Sequence, residues 1–362
     1  MGLLVKNVGM ICYRNFPIRD INLSDGMTIL CGRNATGKTN TVEALQMLTA
    51  GTSFRHPRAK DMILEGEGQA RISSRLEGDG RVVDVACEIT PTSRRFTRNG
   101  KPCRPADLSA TLMSVLFCPD DLSFVKQGAK YRREELDGFG EQANGGYRKV
   151  AGAYARSIEQ RNRLLKDPRP DLALLDAWDA SVALGGATLL EARLRLFRRL
   201  RDHLVEVYGH VSDVDRLDAR YVCTLGDDVE GKSRDELATI FADRLAASRA
   251  EDLRRQQTTC GPQRDDVVFT LDGRDARSFG SQGQQRSIVL AWKMAEVALS
   301  AEICGEQPLL LLDDVMSELD ATRRDAITRF VQGGIQTVVT TTNLGYFPQE
   351  LLDQSEVVTF GE

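Results

Sequence analysis

An α/β fold carrying an added antiparallel β-sheet and an inserted compact helical lobe is predicted by three observations on the 362-residue sequence. A short apolar run at 27–31 enters a glycine-bounded turn, Gly32-Arg33-Asn34-Ala35-Thr36-Gly37-Lys38-Thr39, and leaves it into a helical pattern at 39–48 with Val42, Leu45 and Leu48 on one face. Far downstream four leucines, Leu309 to Leu312, run into Asp313 and Asp314, as a parallel strand buried on both faces and acidic at its carboxyl end would read. Between the two, from 136 to 255, the pattern turns helical and heavily charged.

Residues 1–135 are otherwise strand-rich. Segments 69–77, 81–90 and 93–101 alternate apolar and polar residues, bounded by Gly78-Asp79-Gly80 and by Asn99-Gly100, a dipeptide suited to a tight hairpin. They predict an antiparallel sheet decorating the core. Helices are expected at 147–166, at 171–197 and onward to 208, and at 233–254. A strand follows at 267–271, then a helix at 287–303, the acidic strand, a helix at 321–332 and a strand at 337–341. The two strands that bear the glycine turn and the aspartates belong in one sheet, so residues 1–135 and 256–362 form a discontinuous head and 136–255 an insertion. An out-and-back helical pair from that insertion reaches no more than roughly 90 Å, less after breaks at Pro168, Pro170 and Gly185-Gly186, so a compact lobe is expected and not a long arm.

The glycine turn matches G-x-x-x-x-G-K-T in its proper strand-to-helix context, which identifies a phosphate-binding loop of the P-loop NTPase class. Gly32 and Gly37 let the backbone turn so that the N–H groups of 32–40, through Asn40, face phosphate oxygens at a helix N-terminus. Lys38 is placed to reach the β- and γ-phosphates of ATP, and the Thr39 hydroxyl to ligate Mg²⁺. Ligands of open α/β sheets sit outside the carboxyl ends of strands, where Asp313 becomes the second Mg²⁺ ligand and Asp314 the general base. Between these halves Phe279-Gly280-Ser281-Gln282-Gly283-Gln284-Gln285-Arg286 offers a serine and free N–H groups at a helix start. By itself that reads as an N-cap followed by a packing glycine. Before an acidic strand it resembles the signature motif of the ABC-type ATPase superfamily, with Ser317-Glu318-Leu319-Asp320 matching the D-loop.

Within that superfamily the whole chain resembles the RecF family. The residues that carry the likeness are Tyr13-Arg14-Asn15-Phe16, Phe117-Cys118-Pro119-Asp120-Asp121-Leu122, Arg132-Arg133, Gly261-Pro262-Gln263-Arg264-Asp265-Asp266, Ser281 to Arg286, and Leu312 to Val315 with Ser317 to Asp320. Gln263, Glu135 and Gly280 depart from the residues usual in that family, at positions bearing on packing and not on phosphate or metal. The resemblance implies an ABC-type head whose P-loop holds an ATP that Ser281, Gly283 and Gln284 of a second copy complete. It implies an ATP-dependent homodimer with weak, DNA-stimulated ATPase activity, catalysed by Lys38, Asp314 and Ser281. It further implies binding at gapped duplex DNA, at single-strand/double-strand junctions, with RecR, RecO and RecA in the pathway.

The net charge of −4 provides no global attraction to DNA, so contact must come from a local patch. Arg94, Arg95, Arg98 and Lys101 on the Asn99-Gly100 hairpin are the preferred candidates. Arg193, Arg195, Arg198, Arg199 and Arg201 form a second cluster, interleaved with Glu191, Asp202 and Glu206 like a solvated helix face. The eight cysteines lie at least 15 residues apart, which excludes a C-x-x-C zinc hook and suits reduced thiols in a soluble, cytoplasmic protein; no run of about 18 apolar residues predicts a membrane span. A transporter nucleotide-binding subunit would carry a histidine where Thr340-Thr341-Thr342-Asn343 stands. Here the Thr341 and Thr342 hydroxyls either contact the γ-phosphate or cap the strand. A double-strand-break nuclease ATPase would need the absent arm and hook, and a kinase or GTPase would not need the signature. The head of another SMC-like DNA repair complex is the remaining alternative.

Overall fold

The structure is a computed structural model that describes residues 2–212 and 214–361. In chain order its elements begin with β1 (Leu4–Val5), β2 (Asn7–Tyr13), β3 (Phe16–Asn22), β4 (Met27–Gly32) and α1 (Lys38–Ala50). There follow β5 (Ala70–Gly78), β6 (Arg81–Thr90), β7 (Ser93–Arg98), β8 (Lys101–Cys103), α2 (Pro105–Ser109) and β9 (Ser114–Phe117). The middle of the chain holds α3 (Ala129–Ala143), α4 (Tyr147–Leu165), α5 (Leu172–Val211), β10 (Leu217–Val222) and α6 (Arg234–Arg255). The last part holds β11 (Asp266–Leu271), β12 (Arg274–Asp275), α7 (Ala276–Phe279), α8 (Gln282–Cys304), β13 (Leu309–Asp313), α9 (Ala321–Val331), β14 (Thr337–Thr341), α10 (Gln349–Asp353) and β15 (Glu356–Phe360).

Two compact units result: Met1–Ser123 with His210–Ser212 and Arg286–Glu362, and Phe124–Gly209 with Asp213–Gln285. These boundaries differ from the expected 135 and 256. The second unit gathers α3 and β11 because Arg132 forks onto the Asp266 carboxylate at 2.7 and 2.9 Å and Arg133 donates to the Asp265 carbonyl at 2.6 Å. The paired arginines and paired aspartates noted in the sequence are therefore one internal joint.

The first unit carries an all-parallel sheet ordered β15-β4-β14-β13-β9 and an antiparallel sheet ordered β3-β2-β5-β6-β7-β8, with β1 on β5. The predicted fold class holds. Leu309 to Leu312 are buried throughout, as a central parallel strand must be. Helix α1 packs between the sheets, so residues 41–50 are buried on every side and not on the single face that Val42, Leu45 and Leu48 suggested. The turns Asp79-Gly80 and Asn99-Gly100 both have positive φ (50° and 70°, 50° and 73°), the backbone of a type I′ hairpin.

In the second unit β10, β11 and β12 form a small antiparallel sheet beside the helices. Helix α5 is one unbroken element of 40 residues, so Gly185-Gly186 is not a break. A Cβ on Gly186 would lie 2.2 Å from the Phe241 ring, so glycine there serves close helix packing. An 18-residue window of α5 reaches a mean hydropathy of 1.2, which by length and composition would suffice to cross a membrane. One stripe of its apolar residues is used internally, with Leu175, Val182, Leu189 and Leu190 buried, while Leu172, Leu174 and Leu184 are exposed. On the same helix Asp179 accepts from the wholly buried Arg161 at 2.6 Å, and Arg161 also binds Asp252 at 2.7 Å and Thr258 at 2.9 Å. Arg193, grouped above with surface cations, is buried as well and bridges Asp137, Tyr221 and the Pro262 carbonyl.

Candidate functional site

The β4 strand ends at Gly32, one strand away from the end of β13 at Asp313, with β14 between them. That register puts the glycine turn and the acidic pair at the same carboxyl edge of the sheet, where open α/β folds bind ligands. Gly37, with φ of 108°, cannot be replaced without collision: a Cβ would stand 2.2 Å from the Phe16 ring. Ala35 also takes a left-handed backbone, φ 67°, the kind of conformation from which anion-binding nests are built.

Lys38 is only 6% exposed, and its ammonium donates to the Gly32 carbonyl at 2.7 Å and the Arg33 carbonyl at 2.8 Å. The Thr39 hydroxyl donates to Asp313 Oδ1 at 3.0 Å across 274 positions of sequence. Burial raises the Asp313 carboxyl above the ordinary aspartate range, against the opposing pull of the Thr340 and Thr39 hydroxyls. Asp314 is raised too, by burial first, with Lys38 opposing and Glu318 adding to the rise. A cavity of about 150 Å³ is lined by Asn34, Ala35, Gly37, Lys38, Thr39, Asn40, Arg55, Asp314 and Thr340. Arg33 and Thr36 frame the turn outside it, the Thr36 hydroxyl donating to the Arg33 carbonyl at 2.8 Å.

Several residues of this site were not legible in the sequence. Arg55, in the loop after α1, donates to Asn40 Oδ1 at 2.8 Å and faces the cavity. Asn15 accepts from Asn40 at 2.7 Å and donates to the Thr36 carbonyl at 3.2 Å, so the β2–β3 turn buttresses the phosphate loop. The buried Glu43 of α1 anchors that turn, accepting from Tyr13 at 2.9 Å, Arg14 at 2.9 and 2.7 Å and Ser53 at 2.6 Å. Burial alone would raise its carboxyl, but the Arg14, Ser53 and Tyr13 donors outweigh it and hold it below the ordinary glutamate range. Thr341 caps its own strand end, bonding Asn343 at 3.0 and 3.1 Å, while Thr342 is exposed.

Ser281, Gly283 and Gln284 lie in the second unit. Ser281 is exposed and begins α8: its hydroxyl accepts from the Gln284 N–H at 3.2 Å, and the Gln284 side chain returns a bond from the Ser281 N–H at 2.8 Å. Gln284 also donates to Asp215 at 2.6 Å. Beside Ser281 stands Phe279, 74% exposed.

The basic hairpin does not form one stripe. Arg94 and Arg98 share the face of buried Phe96, where Arg94 binds the Pro57 carbonyl and Arg98 donates to Thr111 at 3.0 Å. Arg95 points to the other face, opposite Glu88 in register, and Lys101 pairs in register with Arg98; both are exposed. The Arg94 bond also brings the 55–60 loop, with exposed Arg55, Arg58 and Lys60, beside the hairpin.

A family model for the RecF/RecN/SMC N terminal domain matches residues 4–358. The chain is similar to the DNA replication and repair protein RecF of Desulforudis audaxviator, 37% identical over 332 residues and covering 91% of each chain. It is similar to the RecF of Heliobacterium modesticaldum at 36% over 362 residues, 98% of this chain and 96% of that one. Among solved structures, the recombination mediator protein RecF with ATP in the RecFOR pathway superposes with a TM-score of 0.87 at 26% identity, over 96% of this chain and 94% of that one.

Proposed function

The chain belongs to the RecF family of DNA replication and repair proteins, and from that premise we propose that it is an ATP-gated dimer acting at gapped DNA in recombinational repair. One observation carries the reading: Thr39 and Asp313, far apart in sequence, meet at 3.0 Å, and Thr39 with Lys38 and Asp314 lines one cavity. Thr39 Oγ1 and Asp313 Oδ1 are hard oxygen donors of the kind that hold Mg²⁺ together with nucleotide phosphates and water. When bound, the ion supplies positive charge to the phosphate oxygens. Lys38 moves its ammonium from the loop carbonyls to the β- and γ-phosphates, the N–H groups of 32–40 cradle them, and Asp314 takes the proton of the attacking water. Arg55 is placed to add a second cation at the cavity wall.

The second half of the γ-phosphate shell comes from another copy: Ser281, with Gly283 and Gln284, meets the phosphate held by its partner, the Gln284 N–H exchanging its bond to the Ser281 hydroxyl for the phosphate. ATP then joins two heads, and hydrolysis removes the shared ligand and releases them. Activity of this kind is a slow switch, which DNA stimulates. RecR, with RecO, is the proposed receiver at the gap, ahead of RecA loading. The family resemblance, the likeness to a RecF solved with ATP and the exposure of Ser281 support this reading.

Replacing Lys38 by alanine removes charge-assisted bonds worth about 1.5 to 3 kcal/mol each, so ATP affinity should fall by about 10²-fold and dimerisation with it. Titration calorimetry with ATP checks this, and unchanged affinity would contradict the role of Lys38. For DNA, Arg95 and Lys101 are exposed hairpin cations, whereas Arg98, exposed too, is tied to Thr111. Reversing Arg95 and Lys101 should weaken binding on all sequences alike and flatten the salt dependence by about one unit of slope per lost phosphate contact. An unaltered salt slope in fluorescence titrations would remove the hairpin from the interface.

A further inference from the structure

Thr340, in β14, is fully buried, and its hydroxyl touches both acidic residues of the proposed site. It donates to Asp313 Oδ1 at 2.8 Å and accepts from the Asp314 N–H at 2.8 Å. Asp313 and Thr340 are the last paired residues of β13 and β14, so beyond them the ladder offers the Asp314 N–H no carbonyl. The threonine hydroxyl takes that place. At the same point the Asp314 backbone turns left-handed, φ 54°. In an extended strand neighbouring side chains point to opposite faces. The turn at Asp314 instead brings its carboxylate to the cavity that Thr340 also lines, while Asp313 reaches Thr39.

A buried strand threonine can satisfy itself on a nearby carbonyl, and Thr337 in the same strand does so, donating to the Ile335 carbonyl at 3.0 Å. Thr340 does not. Its two bonds go to the side chain of one acidic residue and the backbone of the next, and through them it sets both where the Asp313 oxygen lies and how the chain turns into Asp314. We infer that Thr340 is the positioning residue of this site, fixing the proposed metal ligand and the proposed base relative to each other; the inference rests on the ATPase reading above. Serine or threonine satisfies this requirement at position 340, and valine, equal in shape, does not.

The test compares Thr340→Val and Thr340→Ser with the parent protein and with Lys38→Ala. Three quantities are read: ATP affinity with Mg²⁺ and with chelator, the rate of a single turnover, and the thermal unfolding midpoint. Loss of a group that orients a metal ligand costs about 10- to 100-fold in metal affinity or activity. Thr340→Val should therefore lose about that much of the Mg²⁺-dependent gain in ATP affinity and of the turnover rate, while affinity in chelator stays at the parent value. Thr340→Ser should restore both. Should valine disturb β14, Thr340→Ala against Thr340→Ser gives the same contrast. The inference is overturned if valine keeps the Mg²⁺ gain and the rate while Lys38→Ala loses binding, or if serine fails to restore what valine loses. If Lys38→Ala also equals the parent, the ATPase reading falls and the positioning role with it.

Discussion

Asp314→Asn should slow ATP hydrolysis by about 10² to 10⁴, or about 3 to 5 kcal/mol of barrier, while ATP binding and pairing of two copies persist. The structure makes this substitution a clean one. Asp314 holds φ at 54°, a region that asparagine enters as readily as aspartate and that other side chains resist. Its N–H keeps the bond to Thr340, and its carbonyl keeps the bond from the Ser317 hydroxyl at 2.9 Å, so the backbone stays in place. Only the proton acceptor is lost. Glutamate at 314 would keep the carboxylate but strain the left-handed turn, and should therefore slow turnover with some loss of stability. Single-turnover assays separate the cases; a normal rate for the asparagine variant would show that the base lies elsewhere.

The largest expected effect on stability comes from Glu43→Ala. The carboxylate is buried beneath the phosphate-loop helix and collects Tyr13, Arg14 and Ser53. Deleting it leaves the Tyr13 hydroxyl without its carboxylate and the Arg14 guanidinium with the Asp61 carbonyl but no counter-charge. Breaking a buried pair costs about 3 to 5 kcal/mol, and the lower end applies because the Arg14 side chain is 16% exposed and keeps some water. The Glu43 carboxyl is held below its ordinary range in the folded chain. Its contribution is thus present above the unfolded value, near pH 4.3, and is lost as pH falls through the folded value. Urea unfolding at neutral pH should show the loss, and the difference between Glu43→Ala and the parent should narrow in acid. ATP affinity should fall as well, because Asn15 beside Arg14 braces Thr36 and Asn40. A change below about 1 kcal/mol would mean that the chain rebuilds this corner without the charge.

The phosphate loop and the acidic strand were legible because each is contiguous: a glycine-lysine-threonine turn and a run of leucines ending in aspartates carry their meaning within a few residues. Their supports were not. Glu43 looked like one polar position of an amphipathic helix, yet α1 is enclosed by two sheets and the carboxylate answers an arginine 29 residues earlier. Arg55 follows α1 without any pattern, and Thr340 was passed over for its neighbours Thr341 and Thr342, because which hydroxyl of a threonine run meets an aspartate depends on strand register. Gly185-Gly186 read as a break because glycine weakens isolated helices; against Phe241 the missing side chain is what permits contact. Arg193 sat among exposed arginines in sequence, but it falls on the helical stripe of Leu189, Leu190, Leu196 and Phe197, which turns it inward, and Asp137 neutralises it there.

The claim that ATP joins two copies is tested most directly by the mass of the particle in solution. Asp314→Asn protein measured by light scattering with Mg²⁺ and ATP should have twice the 40.1 kDa of the chain, and return to one copy when ATP is omitted or when Lys38→Ala is combined with it. A single copy under every condition, with ATP shown to be bound, would contradict completion of the site by a second chain.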